Sequence, residues 1–275
     1  MTRLRSLFLA PVTVLMLATI AAPMAIVGAY TVLTRGAYGG VELPWTLESY
    51  SRVFDPLYGA ILLRSFAIAG IATALCIGVG FPLALYIAQS GARKNFYLSL
   101  VILPFWTSFL IRLYAWMFLL RDTGLINTVL QSWGWIQAPL PMLYTNGAVV
   151  LGLVYGFLPF AVLPMYATLE RLDKNLLEAA ADLGASPFSA LTRVTIPLCA
   201  PGIGAAAILV FVPCLGTYIV SDLLGGSKTI LVGNLIQNQF TTARDWPFGA
   251  AVSMILMGIA AAFLLAIRKR GQELI

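Results

Sequence analysis

The sequence predicts an all-α membrane protein that crosses the bilayer with six helices, and three observations lead to this prediction. Of the 275 residues, 60% are apolar and only 10% are charged, whereas soluble domains carry about 25% charged residues. The apolar residues fall into six segments, each with roughly the 20 residues that one helical crossing requires. No polar stretch is long enough for a soluble domain, so we expect one transmembrane domain over residues 1–275.

The six predicted spans follow the chain in order. The first has no charged residue from Leu7 to Leu33, which is too long for the apolar part of a cleaved signal peptide, about 7–15 residues. A retained span is therefore favoured. The third span contains a single charged residue, Arg112. The predicted boundaries of the six spans are 7–33, 65–88, 96–120, 147–169, 199–221 and 246–267.

Lysine and arginine predict the orientation, because cytoplasmic loops of membrane proteins collect these residues. With both termini in the cytoplasm, ten Lys and Arg lie inside and six lie in the longer connections outside. This distribution predicts cytoplasmic N- and C-termini. It also explains the net charge of +6 without a nucleic-acid partner, which we do not expect.

The composition excludes several kinds of catalysis. The chain has no histidine, so it can form neither a His-ligated zinc site nor a Ser-His or Cys-His pair. Its three cysteines lie in or beside apolar stretches without CxxC spacing, which indicates packing residues rather than a metal site or a disulfide framework. An intramembrane protease of the zinc or Ser-His type is therefore excluded, and we expect neither enzymatic activity nor a bound metal.

The predicted cytoplasmic connection 170–198 begins with a helix. Asp173 can cap its start, and residues 175–183 are rich in alanine and leucine, which favour a helix. Gly184 fits the left-handed conformation that ends many helices. The connection is therefore expected to turn sharply at this glycine.

A second helix is expected directly after that turn. Ser186 and Pro187 suit its cap and its first position, and it should end before Pro197. Glu178 and Asp182 lie four residues apart on the first helix, where like charges cost an isolated helix a few tenths of a kcal/mol, about 0.2–0.5. A partner with a basic groove would relieve this repulsion, whereas a solvated helix face is the alternative. The residues alone leave both interpretations open.

The spacing of this connection resembles the EAA signature of bacterial ABC importer permeases. Two aliphatic positions depart from the usual pattern, with Val for Ile and Ile for Leu. The matching positions are Glu178, Ala179, Ala180, Gly184, Val194, Ile196 and Pro197. The resemblance implies a coupling helix that docks on an ATPase. The residues expected to make this coupling are Glu178, Ala179, Ala180, Asp182, Gly184 and Pro197.

Other stretches over roughly residues 46–270 resemble the permeases of spermidine/putrescine importers. They include Pro104-Phe-Trp-Thr107, Leu158-Pro-Phe160, Ser221-Asp-Leu-Leu-Gly-Gly226 and Arg244-Asp-Trp-Pro-Phe-Gly-Ala250. The resemblance implies the MetI-like fold of type I ABC importer permeases in a bacterial cytoplasmic (inner) membrane. Permeases for other small solutes share parts of these stretches, so an amino-acid derivative, an organophosphonate or another anion is the alternative substrate.

The same resemblance implies the partners. They are a second homologous permease, a homodimeric ATPase, an extracytoplasmic substrate-binding protein, membrane lipid and a small-molecule solute. ATP and Mg²⁺ would be bound by the ATPase, and this chain would hold no cofactor. A passive scaffold or channel is the competing class, but a scaffold needs no docking connection of this kind.

Two ionisable residues at predicted membrane depth are candidates for the substrate path. Asp222 ends the fifth span, and Tyr218 lies one helical turn earlier, so together they offer a carboxylate and an aromatic face to an ammonium group. Arg112 lies inside the third span. We predict an ionic contact between Arg112 and Asp222, although Asp222 can equally serve as a helix cap. The aromatic residues that complete the predicted path are Trp106, Tyr114 and Trp116, and contact with lipid is the alternative for the two tryptophans.

The uncharged stretch 229–240 is too short to cross the membrane. Its amide side chains suit an outer amphipathic or re-entrant helix at the mouth of the path, and a plain surface helix is the alternative. Asp245 is expected to cap the sixth span, just ahead of Trp246 and Pro247.

Overall fold

A computed structural model describes the backbone of residues 2–272 and the side chains of residues 10–265 except that of Lys174. Within these residues, four helices are long and apolar enough to cross a membrane. They are Ala10–Tyr30, Pro56–Gln89, Asn146–Leu169 and Trp246–Leu265. Two further pairs of helices are each bent at a short break, and counting each pair as one span gives six. The predicted helical membrane fold is thus confirmed.

The described residues form a long series of helices joined by short turns. In chain order the helices are α1 (Thr2–Tyr30), α2 (Glu48–Val53), α3 (Pro56–Gln89), α4 (Lys94–Ile102), α5 (Phe109–Leu120), α6 (Leu125–Ser132), α7 (Asn146–Leu169), α8 (Lys174–Asp182), α9 (Pro187–Ala190), α10 (Ile196–Leu198), α11 (Ala200–Gly216), α12 (Val232–Thr241) and α13 (Trp246–Gln272). The predicted fourth and sixth spans begin within one residue of α7 and α13.

A small antiparallel sheet interrupts the predicted all-α pattern. β1 (Leu33–Arg35) pairs with β2 (Val41–Trp45) directly after α1, which ends at Tyr30 rather than at Leu33. Gly39 and Gly40 make the turn between the strands with positive φ angles of 96° and 82°. Glycine adopts this conformation without a steric penalty.

Helix α3 starts nine residues before the predicted second span. The Asp55 carboxylate accepts the main-chain N–H of Leu57 at 2.9 Å, and Pro56 occupies the first helical position, where its missing N–H is not needed. The start of α3 is therefore set by the cap at Asp55 and not by the point at which the apolar residues begin.

The predicted third span, 96–120, is not one helix. Helix α4 continues into the 3₁₀ turn Leu103–Trp106, and the segment Gly91–Trp106 meets the segment Phe109–Ser132, which begins with α5, at an angle of 87°. Pro104 lacks an N–H, and the backbone at Thr107 and Ser108 is extended. The Thr107 N–H and hydroxyl both donate to the Pro104 carbonyl, at 3.2 and 2.8 Å, so the break satisfies its own polar groups.

The predicted fifth span, 199–221, is also broken. The helical segment Pro187–Leu198 meets α11 at 66°, and α11 ends at Gly216, because the next residue, Thr217, is extended. The helix expected to stop before Pro197 continues through it, since Pro197 lies in the first turn of α10, where no N–H is required. Asp222 consequently lies outside α11, in the π turn Ser221–Gly225.

The chain divides into two compact units. One comprises residues 1–60 and 235–261, and the other comprises residues 61–234 and 262–275. In the first unit, Asp245 caps α13 as predicted by accepting the Phe248 N–H at 3.2 Å, and it forms an ion pair with Arg52 at 2.8 Å. The expectation of one transmembrane domain over the whole chain stays a prediction.

Close packing of α7 holds the core of the second unit together. A Cβ atom at Gly152 would lie 2.5 Å from Cδ1 of Leu224, and one at Gly202 would lie 2.4 Å from Oγ1 of Thr168. Both distances are too short for any side chain. Glycine at these positions therefore allows α7 to approach α11 and the turn at Ser221–Gly225 closely.

Candidate functional sites

The connection between α7 and α11 forms the predicted helix–turn–helix. The Asn175 N–H donates to the Asp173 carboxylate at 3.0 Å at the start of α8, and the Ser189 N–H donates to the Ser186 hydroxyl at 3.2 Å at the start of α9. Gly184 lies between the two helices with φ of 80°. Both caps and the left-handed glycine are confirmed. The connection Glu170–Leu198 is called the docking hairpin below.

Main-chain hydrogen bonds close the end of α8. The Gly184 N–H donates to the Ala181 carbonyl at 2.8 Å, and the Ala185 N–H donates to the Ala180 carbonyl at 3.0 Å. Such bonds satisfy carbonyl groups that a helix end otherwise leaves without partners. The turn at Gly184 therefore has a defined, hydrogen-bonded backbone structure.

The docking hairpin exposes both acidic and large apolar side chains. Leu183 is 89% exposed and Phe188 is 74% exposed, and the carboxylates of Glu178 and Asp182 are exposed beside them. Exposed apolar groups that cluster with charges are typical of a protein-binding surface. The other predicted coupling residues lie on the same hairpin, with Ala179, Gly184 and Pro197 exposed and Ala180 half-buried.

An ion pair ties the base of the docking hairpin to α4. Lys94 Nζ lies 2.5 Å from Oε1 of Glu170, just after the end of α7. Hydrogen bonds from Lys94 and then from Tyr166 lower the pKa of the Glu170 carboxyl group below its ordinary value. This contact fixes the point at which the hairpin leaves the membrane-spanning helix.

Arg112 lies buried among aromatic rings on α5. Only 9% of the residue is exposed, and its guanidinium carbon lies 5.4 Å from the ring centre of Phe105, 5.5 Å from that of Phe109 and 5.8 Å from that of Tyr155. These distances allow cation–π attraction. Within the described residues, its buried Nε and Nη1 atoms have no hydrogen-bond partner.

The three aromatic residues predicted for the path are not the ones whose rings surround Arg112. Trp106 is 86% exposed and Tyr114 is also exposed, whereas Trp116 packs edge-on against Tyr155 at 5.6 Å. The rings that surround the guanidinium belong instead to Phe105, Phe109 and Tyr155. Helical spacing could have identified Phe109, three residues before Arg112, but Tyr155 lies on α7 and has no local signal.

The predicted ionic contact between Arg112 and Asp222 is wrong. The ion pairs among the described residues are Arg52–Asp245 and Lys94–Glu170, and Asp222 is exposed. The side of α5 that faces the Ser221–Gly225 turn carries Leu113, which lies with Leu224 near Gly152. One residue step turns a helix by about 100°, so Arg112 faces elsewhere.

Asn234, one of the amide residues of the stretch 229–240, is buried and anchors the segment after α11. The Oδ1 atom of Asn234 accepts hydrogen bonds from the Ser221 hydroxyl and, at 3.2 Å, from the Leu231 N–H. Its Nδ2 group donates to the carbonyl of Tyr218 at 3.2 Å. The helix predicted within 229–240 exists as α12, and Asn234 is buried within it, which disfavours a plain surface helix.

The long apolar helices indicate a membrane protein of several spans. The family model described as "Binding-protein-dependent transport system inner membrane component" matches residues 77–273. The chain belongs to this family. It is therefore a multi-pass inner-membrane transport subunit and not an enzyme.

Similar proteins agree with this assignment. The chain is 42% identical over 254 residues to the spermidine/putrescine transport system permease protein PotB of Haemophilus influenzae, covering 92% of this chain and 88% of that protein. It is 45% identical over 234 residues to PotB of Escherichia coli, covering 85% of each. The same MetI-like fold is found in a crystal structure of a bacterial alginate ABC transporter in complex with an alginate pentasaccharide-bound periplasmic protein. The TM-score to one chain of that structure is 0.78 at 17% sequence identity, and the match covers 96% of this chain and 92% of that one.

Proposed function

We propose that this chain is a permease subunit of an ATP-driven importer of polyamines such as spermidine and putrescine. The observation that carries the proposal is the 42% and 45% identity to two spermidine/putrescine permeases over most of the length of each chain. The stretches that resemble such permeases lie in both compact units, so the similarity is not confined to the docking hairpin.

The docking hairpin is proposed to bind one subunit of a homodimeric ATPase. Its exposed Leu183 and Phe188 would enter an apolar groove, and Glu178 and Asp182 would meet basic residues at the rim. ATP and Mg²⁺ would be held by that ATPase, and this chain would hold no cofactor. Closure of the ATPase dimer would then move the hairpin together with α11.

Transport is proposed to follow alternating access between this chain and a second, homologous permease. An extracytoplasmic binding protein would deliver the solute, and both termini of this chain would lie in the cytoplasm, as the lysine and arginine distribution predicts. The expected effect of ATPase closure is to change which side of the membrane the path faces.

The substrate path is proposed to use exposed carboxylate and aromatic groups. Tyr218 and Asp222 lie two and six residues after the end of α11, and both are exposed, so they can meet an ammonium group. A cation–π contact is worth about 0.5–2 kcal/mol. The further aromatic candidates on the broken span are Trp106, Tyr114 and Trp116.

An anionic solute is the second candidate, and one observation favours it. Arg112 is a buried cation with no carboxylate partner among the described residues, which is an unfavourable neighbour for a polyamine. A solute with a carboxylate or phosphonate group would supply the missing charge.

The proposal is tested by the ATPase activity of the complex reconstituted with its binding protein. We expect spermidine or putrescine to stimulate hydrolysis, and an anionic solute of similar size to have no effect. Stimulation by the anion alone would overturn the polyamine assignment but keep the permease. Failure of this chain to purify with an ATPase would contradict the proposed coupling.

A further inference from the structure

A pocket of about 420 Å³ opens at the break between α4 and α5. Four phenylalanines from the break and from α7 form its apolar wall. Its polar side chains are Thr107, Ser108 and Arg112. The pocket therefore combines one cation with an otherwise aromatic environment.

Two independent sets of donors belong to residues at this pocket. The Nε and Nη1 atoms of Arg112 are buried without hydrogen-bond partners among the described residues, and Arg112 itself lines the pocket. The twelve-residue helix α5 starts at the same place, and no side chain caps it at Ser108. The amide groups of its first turn are therefore further unsatisfied donors, and the helix dipole favours a negative charge there.

Among the described helices, the longer ones of the second unit offer Arg112 no carboxylate. The sequences of α3, α4, α5, α7 and α11 contain no aspartate or glutamate. A buried guanidinium without a counter-charge is strongly unfavourable, because its charge has lost water and gained no partner. The partner is therefore expected from outside this chain.

The depth of the pocket limits what that partner can be. Gly156, which lines the pocket, lies ten residues after the start of α7 and thirteen before its end. At 1.5 Å per residue this places it about 15 and 20 Å from the two ends. Lipid phosphates lie beyond a hydrocarbon core about 30 Å thick, so they are out of reach.

We propose that this pocket is a carboxylate-binding site near the middle of the membrane, formed by Arg112 and the first-turn amides of α5. A guanidinium binds a carboxylate through charge-assisted hydrogen bonds, and Nε and Nη1 of Arg112 are each free to donate one. The carboxylate comes from an acidic side chain of the second permease or from the solute. The first source rests on the proposed two-permease complex, whereas the second does not. With the carboxylate in place, Arg112 is neutralised and a cationic solute can pass.

The first experiment separates charge from packing in the complete complex. Arg112→Met keeps most of the side-chain volume without charge, and Arg112→Lys keeps the charge. We expect Arg112→Met to lower uptake at least about tenfold and Arg112→Lys to retain several times more uptake than Arg112→Met. Arg121→Gln, at an exposed arginine directly after α5, is the control and should match the wild type. Wild-type uptake and thermal stability in Arg112→Met would overturn the proposal.

The second experiment identifies the source of the carboxylate. It also tests the proposal if Arg112→Met and Arg112→Lys both lose uptake. Each intramembrane Asp or Glu of the second permease is changed to Arg in an Arg112→Glu background. Restored uptake for one pair assigns the carboxylate to the second permease. In parallel, ATPase stimulation is compared with spermidine and with ornithine, a diamine that carries a carboxylate. If Arg112→Met loses the response to ornithine but keeps the response to spermidine, the carboxylate is assigned to the solute.

A charge pair that restores uptake is compatible with the polyamine assignment, whereas a carboxylate supplied by the solute would contradict it. The response of the wild-type complex to spermidine tests the proposed function without any Arg112 variant. If no charge pair restores uptake and the ornithine response of Arg112→Met equals that of the wild type, the carboxylate site is wrong even where spermidine stimulates the complex.

Discussion

The two ends of α11 use polar and apolar residues in opposite ways. Before the helix, the docking hairpin exposes Leu183 and Phe188 and keeps its carboxylates in solvent. After the helix, residues 231–235 are all buried, and the side-chain amide of Asn234 forms its hydrogen bonds within the chain. One end therefore offers exposed groups to a partner, as proposed, whereas the polar groups at the other end are paired within the chain.

This difference predicts that residues before α11 matter for binding, whereas residues after it matter for folding. At the docking hairpin, exposed side chains can change without loss of the fold, because they make few contacts within the chain. At the segment after α11, each buried polar group depends on its neighbours, so a change there costs stability. Variants at the two ends should consequently differ in what they impair.

The largest expected effect is loss of coupling through Glu178→Arg. The reversed charge would meet basic residues of the proposed ATPase, so uptake should fall at least about tenfold, and less ATPase should purify with the permease. The unfolding temperature should not change, because Glu178 is exposed. Glu48→Arg, the same reversal at an exposed residue outside the docking hairpin, is the control. Normal ATPase binding by Glu178→Arg would contradict the docking proposal.

The second effect is a loss of stability in Asn234→Ala. The change leaves the Ser221 hydroxyl, the Leu231 N–H and the Tyr218 carbonyl without this partner, which should cost about 2 kcal/mol. Thermal unfolding of the purified permease measures it. Asn238→Ala, at an exposed position of the same helix, should leave the unfolding temperature nearly unchanged. Equal unfolding temperatures for the two variants would show that the buried network contributes nothing.

A smaller effect is expected for Gly184→Ala in the docking hairpin. No atom lies within 4 Å of a Cβ placed there, so the cost comes from the φ angle of 80° and not from a clash. It should be about 1 kcal/mol, seen as faster hydrogen exchange in α8. Gly70→Ala, within α3 and also in open space, should instead be neutral or stabilising. Unchanged exchange in Gly184→Ala would mean that the turn does not need its left-handed residue.

The smallest effect is a pH dependence at the base of the docking hairpin. Because Lys94 and then Tyr166 lower the pKa of Glu170, the carboxylate stabilises the fold above its ordinary pKa. This contribution is lost as the pH falls through the lowered pKa of the folded state. Comparing unfolding at pH 7 and below about pH 4 should show a smaller acid loss in Glu170→Gln than in the wild type. Glu48→Gln should keep the wild-type dependence, and an equal change in both variants would exclude Glu170 as the cause.

Local signals carried a large part of this structure. The caps at Asp173, Ser186 and Asp245 and the turn at Gly184 follow from hydrogen bonds and backbone angles within a few residues. The long apolar segments gave the helical membrane fold, because a buried backbone in lipid must satisfy its own hydrogen bonds. The two broken spans were missed, since a proline in an apolar segment can either kink a helix or end it.

The sequence by itself determined the fold class, the permease family and the position of the docking hairpin, since each depends on composition or on spacing along the chain. Only the tertiary structure decided what surrounds Arg112 and Asn234. Tyr155 reaches Arg112 from α7, and Ser221 reaches Asn234 across a turn, so neither contact has a local pattern. Side-chain direction on a helix changes by about 100° per residue, and this rotation, rather than proximity in sequence, placed Leu113 against the turn and Arg112 in the aromatic pocket.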